Sequence, residues 1–211
     1  MFRSILFRVV STCPVLVALG LLATAQSPQS VPTSTFAIQA NSNREPAGKL
    51  EKGVLTLRLE LRQGDWYPET DTGPSMRVYA FGEEGKPPQV PAPLIRVPEG
   101  TEIRLSVHNL LSTTAVVHGM HRRPGNIDDV LKVPAGEVQE LQFTAGSPGT
   151  YQYWAIVGGN LFRGRPYKED SQLAGAFLVD PPGAVVDDRV FVIGFWQTKP
   201  GDDSAHKRSG D

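Results

Sequence analysis

The 211-residue sequence contains a single cysteine, Cys13, which excludes an internal disulfide framework and a zinc site with several thiolates. It also lacks a charge excess, because 21 Lys and Arg residues stand against 22 Asp and Glu residues and the net charge is -1 at pH 7. A chain without a basic surplus has little to displace counterions from phosphates, which argues against nucleic-acid binding. Sustained helical periodicity is missing as well, whereas Gly (21) and Pro (18) are frequent and favour short strands joined by turns.

The long apolar run of the sequence lies at the N-terminus. Arg3 and Arg8 precede an apolar stretch from Val9 to Ala25, which ends in the small residues Ala23-Thr24-Ala25. This order is typical of a secretory signal peptide over residues 1–25, cleaved before Gln26. The alternative is a membrane anchor, but the run is short and no second hydrophobic span follows it.

Cleavage at this point predicts an exported protein, periplasmic or secreted, that is not held in the membrane. It would leave 211 - 25 = 186 residues and would remove Cys13, so the mature chain has no thiolate. The cysteine lies inside the apolar run and not after it, which argues against a lipoprotein anchor.

Period-two alternation indicates strands along residues 53–182. Leu55, Leu57, Leu59 and Leu61 alternate with polar residues, and a turn is predicted at residues 62–65. Further predicted strands are Ser75–Phe81, Leu94–Val97, Glu102–Asn109, Thr113–Met120, Glu137–Thr144, Thr150–Val157 and Leu173–Val179. Short strands punctuated by turns predict one complete all-β domain, a Greek-key β-sandwich or barrel.

The segments that flank this domain differ from it. Residues 26–52 are rich in Ser, Thr, Pro, Gln and Asn and are predicted to be a flexible lead-in. Asp180-Pro181-Pro182-Gly183 indicates a linker, and Arg189–Trp196 reads as a further, very apolar strand. A lone strand cannot build its own core, so it either adds to the first sandwich or belongs to a domain that this sequence does not contain.

Five segments between residues 54 and 182 resemble, in order and spacing, the first plastocyanin-like (cupredoxin) domain of multicopper oxidases. They are Pro93–Thr101 (similar to PGPxIRVxEGD), His118-Gly119 (the end of His-x-His-Gly), Val133–Glu137 (xPGxS), Pro148–Tyr153 (PGTYWYH) and Leu173–Val179 (GLYGALIV). Arg189–Trp196 resembles the opening strand of the second domain of that family. The resemblance implies a cupredoxin fold, copper binding and oxidoreductase activity, with residues 183–211 as a linker plus the first strand of a missing second domain.

The copper ligands that the resemblance implies are mostly absent. In the family, two His-x-His pairs of this domain help hold a trinuclear copper cluster, because imidazole suits copper. The first pair maps onto Val116 and His118, and the second onto Trp154 and Ile156. A blue-copper site needs a Cys thiolate, which the mature chain lacks. The sequence therefore predicts no catalytic residue and a chain that is not catalytic on its own.

Other candidate sites have competing interpretations. His118 is either a surviving ligand or a hydrogen-bonded strand histidine. His121 lies three residues on, and a turn at Gly119 would allow a copper site of mixed nitrogen and sulfur ligands with Met120. Further candidates are a sugar platform of Trp154 with Tyr151 and Tyr153, a basic loop at Arg163, Arg165 and Lys168, and a cation site at Asp128-Asp129. Of the other histidines, His108 lies on the polar side of its strand and is predicted to be exposed, and His206 lies in the tail.

Two main functions are therefore open. The chain is either the first domain of a multicopper-oxidase-like protein whose copper centres are completed elsewhere, or a metal-free cupredoxin scaffold or interaction module. In both cases the predicted partners are downstream cupredoxin domains or a second copy of this chain, contacted through Arg189–Trp196, because an exposed apolar edge favours association.

Overall fold

The computed structural model describes residues 36–122, 129–157, 159, 161–162, 165–166, 168–185 and 187–196. These residues form strands and one short 3-10 helix, and they contain no α-helix. The strands are β1 (Phe36–Ala37), β2 (Gln39–Ala40), β3 (Lys49–Glu51), β4 (Val54–Trp66), β5 (Met76–Glu83), β6 (Gln89–Val90), β7 (Ile95–Pro98), β8 (Glu102–Asn109), β9 (Ala115–His118), β10 (Val130–Val133), β11 (Val138–Thr144), β12 (Gly149–Ile156), β13 (Leu161–Phe162), β14 (Arg165–Pro166) and β15 (Ala174–Asp180). The 3-10 helix is Lys168–Gln172.

Two mixed sheets make up the sandwich. The first has the order β11-β8-β4-β5-β6-β2, with β1 and β3 also paired to β4, and the second has the order β10-β9-β12-β15-β7. The pairs β4–β8 and β15–β7 are parallel, so the chain crosses between the sheets before it returns to the same one. This topology confirms the predicted all-β Greek-key sandwich.

The core lies between the inward faces of the two sheets. Leu55, Leu57, Leu59 and Leu61 of β4 are each at most 2% exposed, as the alternation predicts. The second sheet contributes side chains that belong to the same buried cluster, which include Val117, Tyr153 and Phe177. Because apolar burial stabilises by about 25 cal/mol per Å², this shared cluster is what holds the sheets together.

The turn predicted at residues 62–65 is wrong, because β4 continues without interruption to Trp66. Residues Leu59–Trp66 pair with Glu83–Met76 of β5 in one long antiparallel ladder. Gly64 lies within this ladder. A glycine is needed there because β1 passes close beside it, and a Cβ would lie 2.5 Å from the Phe36 carbonyl oxygen. The glycine reflects a close backbone approach and not a reversal of the chain.

Part of the predicted lead-in, residues 26–52, packs on the sandwich. Its described portion, residues 36–52, contains β1, β2 and β3, and the side chains of Ile38, Asn43 and Ala47 are buried. Strand β10 was not predicted from the sequence, because only Val133 of its four residues is buried. Short edge strands with mostly exposed residues carry little hydrophobic pattern.

The strand predicted over Arg189–Trp196 is also wrong. Residues 187–196 are described and form no strand. Val190 and Val192 pack instead on Leu94, Ala176 and Leu178, on the face of the second sheet that points away from the core. The segment therefore covers a sheet face and leaves the sheet edge unextended.

An ion-pair cluster holds this segment where it leaves the sandwich. The Arg96 guanidinium donates to both carboxylate oxygens of Asp180, each at 2.8 Å, and to those of Asp188 at 2.6 and 3.1 Å. These hydrogen bonds raise the pKa of Arg96 and lower the pKa of Asp188. Bidentate geometry of this kind favours one orientation of both partners.

The fully buried Tyr153 generates a prediction about alkaline pH. Its hydroxyl donates to the Pro93 carbonyl, and burial raises its pKa well above 10.0. In the unfolded chain the phenol ionises near pH 10, so its contribution to stability is present below that pH and is lost as the pH rises above it. We expect the free energy of unfolding to fall above pH 10 by up to about 1.4 kcal/mol per pH unit from this residue.

Urea denaturation between pH 8 and 11 measures this effect. Tyr153→Phe should cost about 1–3 kcal/mol at pH 8, because the Pro93 carbonyl loses its buried donor, and should have a shallower alkaline decline than the wild type. Tyr67→Phe removes a hydroxyl at an exposed position and should change stability by less than about 0.5 kcal/mol. Parallel pH profiles for the wild type and Tyr153→Phe would contradict the prediction.

Candidate functional site

The four positions that the resemblance pairs as ligands lie together on one face of the second sheet. In the antiparallel pairing of β9 with β12, Val116 is opposite Ile156 and His118 is opposite Trp154. All four side chains are half-buried, while the residues that alternate with them point into the core. We call these four residues the outer patch. The sequence mapping therefore describes a real cluster.

His118 and Trp154 stack within the outer patch. Their ring centroids are 4.0 Å apart and their planes differ by 7°. The chain turns directly after His118, because Gly119 has a φ of 79°, in the left-handed region that favours glycine. A Cβ at Gly119 would also collide with the Gln152 carbonyl oxygen on β12. Gly119 thus lets β9 end while the imidazole stays over the indole.

The turn at Gly119 separates His118 from Met120 and His121. Met120 is buried in the core cluster, and together with His121 it lines a cavity between the sheets that also contains Leu141 and Phe143. At this cavity His121 Nδ1 lies 3.6 Å from a carboxylate oxygen of Asp129. The copper site of mixed nitrogen and sulfur ligands that the sequence suggested would need His118 at the same cavity as Met120 and His121. The His118 ring instead stacks on Trp154 in the outer patch.

The remaining candidates are scattered. Tyr153 lies in the core, and Tyr151 packs beside it with its hydroxyl donating to the Ser147 carbonyl, so neither forms a platform with Trp154. His108 is half-buried on β8. His206, Asp128 and Arg163 lie outside the described residues, as does the side chain of Arg165, while Lys168 begins the 3-10 helix.

Copper does not fit the outer patch. Copper is bound by imidazole, thiolate or thioether donors, and Val116 and Ile156 carry no donor atom. The Trp154 indole nitrogen is a hydrogen-bond donor only. Within the described parts of the chain, no three or more His, Cys, Asp and Glu side chains are grouped closely enough to hold a metal ion. The patch has the place of a ligand cluster but the chemistry of a packing surface.

A larger cavity adjoins the outer patch through Trp154. It has a volume of about 900 Å³ and lies beneath residues 192–196, against the outward side chains Gln152 and Trp154 of β12. Trp66, Tyr67 and Trp196 also line it. Sequence reasoning missed this cavity because its aromatic residues lie up to 130 positions apart, so that no local pattern connects them.

The sequence of this sandwich matches a family model. Residues 86–184, just under half of the chain, match the model described as multicopper oxidase. This match confirms the resemblance stated from the five motifs, and the matched family suggests copper as the cofactor of related domains.

Individual relatives are more distant. The chain is 28% identical over 167 residues to a probable nitrite reductase-hydroxylamine oxidoreductase fusion protein of Kuenenia stuttgartiensis. The match covers 74% of this chain and 18% of that protein. The chain thus spans less than a fifth of the length of this curated relative.

Two solved structures are similar to the chain. A multicopper oxidase from Campylobacter jejuni has 25% identity and a TM-score of 0.45, and the match covers 70% of this chain and 31% of that one. A blue copper oxidase from Nitrosomonas europaea has 22% identity and a TM-score of 0.47, and the match covers 62% of this chain and 40% of that one.

In the part of the chain that the structure describes, no helix has the length and apolar character needed to cross a bilayer.

Proposed function

We propose that this chain is an exported cupredoxin domain of the multicopper oxidase type that acts as a scaffold or interaction domain and does not catalyse oxidation on its own. The outer patch carries this proposal, because one of its four side chains, His118, is able to bind copper, and that ring is stacked on Trp154. Apolar side chains at the other positions stabilise packing, whereas unligated histidines would add unpaired polar atoms there.

A second candidate function follows from the partial coverage of the relatives. The chain spans 18% of the length of its curated relative. Under this second function, the domain is one part of a larger oxidase. In that case other domains would supply nearly all copper ligands, and His118 would be the single ligand that this domain contributes. Copper binding by the domain alone separates the two functions.

Copper loading is the direct test. We expect the purified chain, after incubation with excess Cu²⁺ and desalting, to retain less than about 0.1 copper per chain, because the outer patch offers one imidazole and lacks a second donor. Its melting temperature should change by less than about 2 °C on addition of EDTA, because a metal that does not bind cannot stabilise the fold. Elemental analysis and differential scanning calorimetry measure the two quantities.

The chain also offers a positive control for this test. The double variant Val116→His and Ile156→His would place three imidazoles in the outer patch, on neighbouring strands and one face, and should retain about one copper per chain. One copper in the wild type that is lost in His118→Ala would overturn the scaffold function and support the oxidase one.

Export is the second part of the proposal, and the N-terminal sequence supports it. Expression of the full reading frame in a Gram-negative host should yield a periplasmic protein that begins at Gln26 and lacks Cys13, because a signal peptidase cleaves after small residues such as Ala23 and Ala25. Intact-mass measurement of the periplasmic fraction checks this outcome. Protein that stays in the cytoplasm and begins at Met1 would rule out the signal peptide.

A partner surface on residues 191–195 is the third part. Phe191 (83% exposed), Ile193 (82%) and Phe195 (68%) form an apolar row that points away from the sandwich, while Val190 and Val192 point toward it. We expect self-association of the chain through this row, because contiguous exposed apolar surface marks an interaction site. The other partner proposed is a downstream cupredoxin domain.

Sedimentation velocity measures this association. The wild type should form dimers at micromolar concentration, and the double variant Phe191→Asp and Ile193→Asp should sediment as a monomer with unchanged circular dichroism. Val138→Asp, at an exposed valine on β11 of the other sheet, is the matched control and should leave the dimer intact. A wild type that is monomeric at all concentrations would contradict the prediction.

A further inference from the structure

The cavity beneath residues 192–196 has the size of a small-molecule site. Its volume of about 900 Å³ falls within the range of roughly 300–1,000 Å³ that is typical of ligand pockets. Its walls come from separate parts of the fold, which include the end of β4, the outward face of β12, the 3-10 helix and residues 187–196, which we call the covering segment. Convergence of these elements makes the cavity a product of the folded domain. We name it the tryptophan cavity.

All three tryptophans of the chain line the tryptophan cavity. Trp66 and Trp196 meet edge to face, with ring centroids 5.3 Å apart and an interplanar angle of 83°. Trp154, on β12, stacks on the His118 ring. Trp196 remains 46% exposed, and Trp66 and Trp154 are half-buried, so the indoles retain surface for a ligand. The rings are held in place before any ligand arrives.

The polar groups of the cavity are mainly neutral amides. Asn41 is held by hydrogen bonds to the Ala92 carbonyl and to Asn43, and the amide of Gln172 donates to the Phe195 carbonyl at 3.4 Å. Gln152 is exposed beside Trp154 on the same strand face. An amide side chain provides both donors and acceptors, which suits a ligand with hydroxyl groups.

Charge is scarce in the cavity wall. Asp170 is the single carboxylate among the described residues that line it, and those residues include no Lys, Arg or His. Its carboxylate is buried and accepts a hydrogen bond from the Val157 amide at 3.0 Å, so it is engaged in holding the end of β12. A wall of this composition disfavours phosphates, carboxylates and ammonium groups, which need opposite charges when they lose water.

We propose that the tryptophan cavity binds a neutral oligosaccharide. A pyranose ring has an apolar face of C–H groups and a polar rim of hydroxyls, and the cavity offers indole faces beside amides. Aromatic rings contribute a large contact area with defined geometry. The proposal is independent of the copper question, whereas Ile193 and Phe195 of the partner surface also line the cavity.

A proline-rich peptide is the competing ligand, because extended proline segments also dock on aromatic surfaces. Two observations favour the sugar. The Trp66 and Trp196 planes are nearly perpendicular, so the two rings do not present a common flat face to an extended chain. The Gln152 amide beside Trp154 offers both a donor and an acceptor; a sugar hydroxyl can pair with either, whereas a proline segment, with no N–H groups, provides acceptors alone.

The test uses the mature chain and a defined panel of probes. Soluble hexamers of β-1,4-glucose, α-1,4-glucose, β-1,4-xylose and β-1,4-N-acetylglucosamine, and an oligoproline peptide, are titrated by isothermal calorimetry, with tryptophan emission recorded in parallel. We expect saturable binding of at least one sugar with a Kd between about 10 µM and 1 mM, and a blue shift of emission as the indoles lose water.

Variants locate the binding. Trp196→Ala and Gln152→Ala, each at an exposed side chain, should weaken binding at least about tenfold. Phe36→Ala removes an aromatic ring of comparable exposure, 36%, outside the cavity and should leave the Kd unchanged. Circular dichroism and melting curves establish that each variant is folded.

Three outcomes overturn the proposal. The first is the absence of saturable binding by every sugar of the panel at about 10 mM. The second is binding that folded Trp196→Ala and Gln152→Ala proteins retain in full. The third is binding of oligoproline alone with the same dependence on Trp196, which would assign the cavity to a peptide.

Discussion

The pairing of β9 with β12 is the constraint on which the rest of the arrangement depends. Its register fixes which side chains point into the sandwich and which point out, because residues alternate between the two faces of a strand. Val117, Tyr153 and Ala155 thereby join the core, while Val116 and Ile156 are sent outward. The core therefore sets the fold, and the outward positions are free to carry other chemistry at little cost to it. A cupredoxin sandwich whose residues 116, 154 and 156 carry no copper donor illustrates that function is a property of sites and not of folds.

The covering segment explains the composition of the last strand. β15 reads Ala-Gly-Ala-Phe-Leu-Val-Asp, without polar alternation, because it is buried on both faces. Phe177 and Val179 face the core, and Ala176 and Leu178 face Val190 and Val192. Strands covered on both sides are expected to be apolar throughout. The same segment forms the roof of the tryptophan cavity, so one stretch of irregular chain both protects the sheet and shapes a cleft.

The sequence predicted the strands best where one face is buried. Glu102–Asn109 has the observed bounds, and the alternation along β4 correctly marked its four buried leucines. Prediction failed where tertiary contacts decide. Gly64 looked like a turn residue but makes room for β1, and Arg189–Trp196 has the alternation of a strand but uses it to pack on a sheet face. The motif mapping grouped four residues that the structure also brings together on β9 and β12, whereas the tryptophan cavity joins residues from distant parts of the chain, which no local pattern reveals.

The Arg96 cluster sets the length of the connection between the sandwich and its cover. It grips Asp180, the last residue of β15, and Asp188, two residues before Val190. A single inserted or deleted residue between Asp188 and Val190 would exchange the inward and outward sets, and would drive Phe191 and Ile193 against the sheet while lifting the valines into water. The ion pairs of the Arg96 guanidinium thus fix the position of Asp188. The spacing from Asp188 then determines which apolar side chains are exposed to solvent.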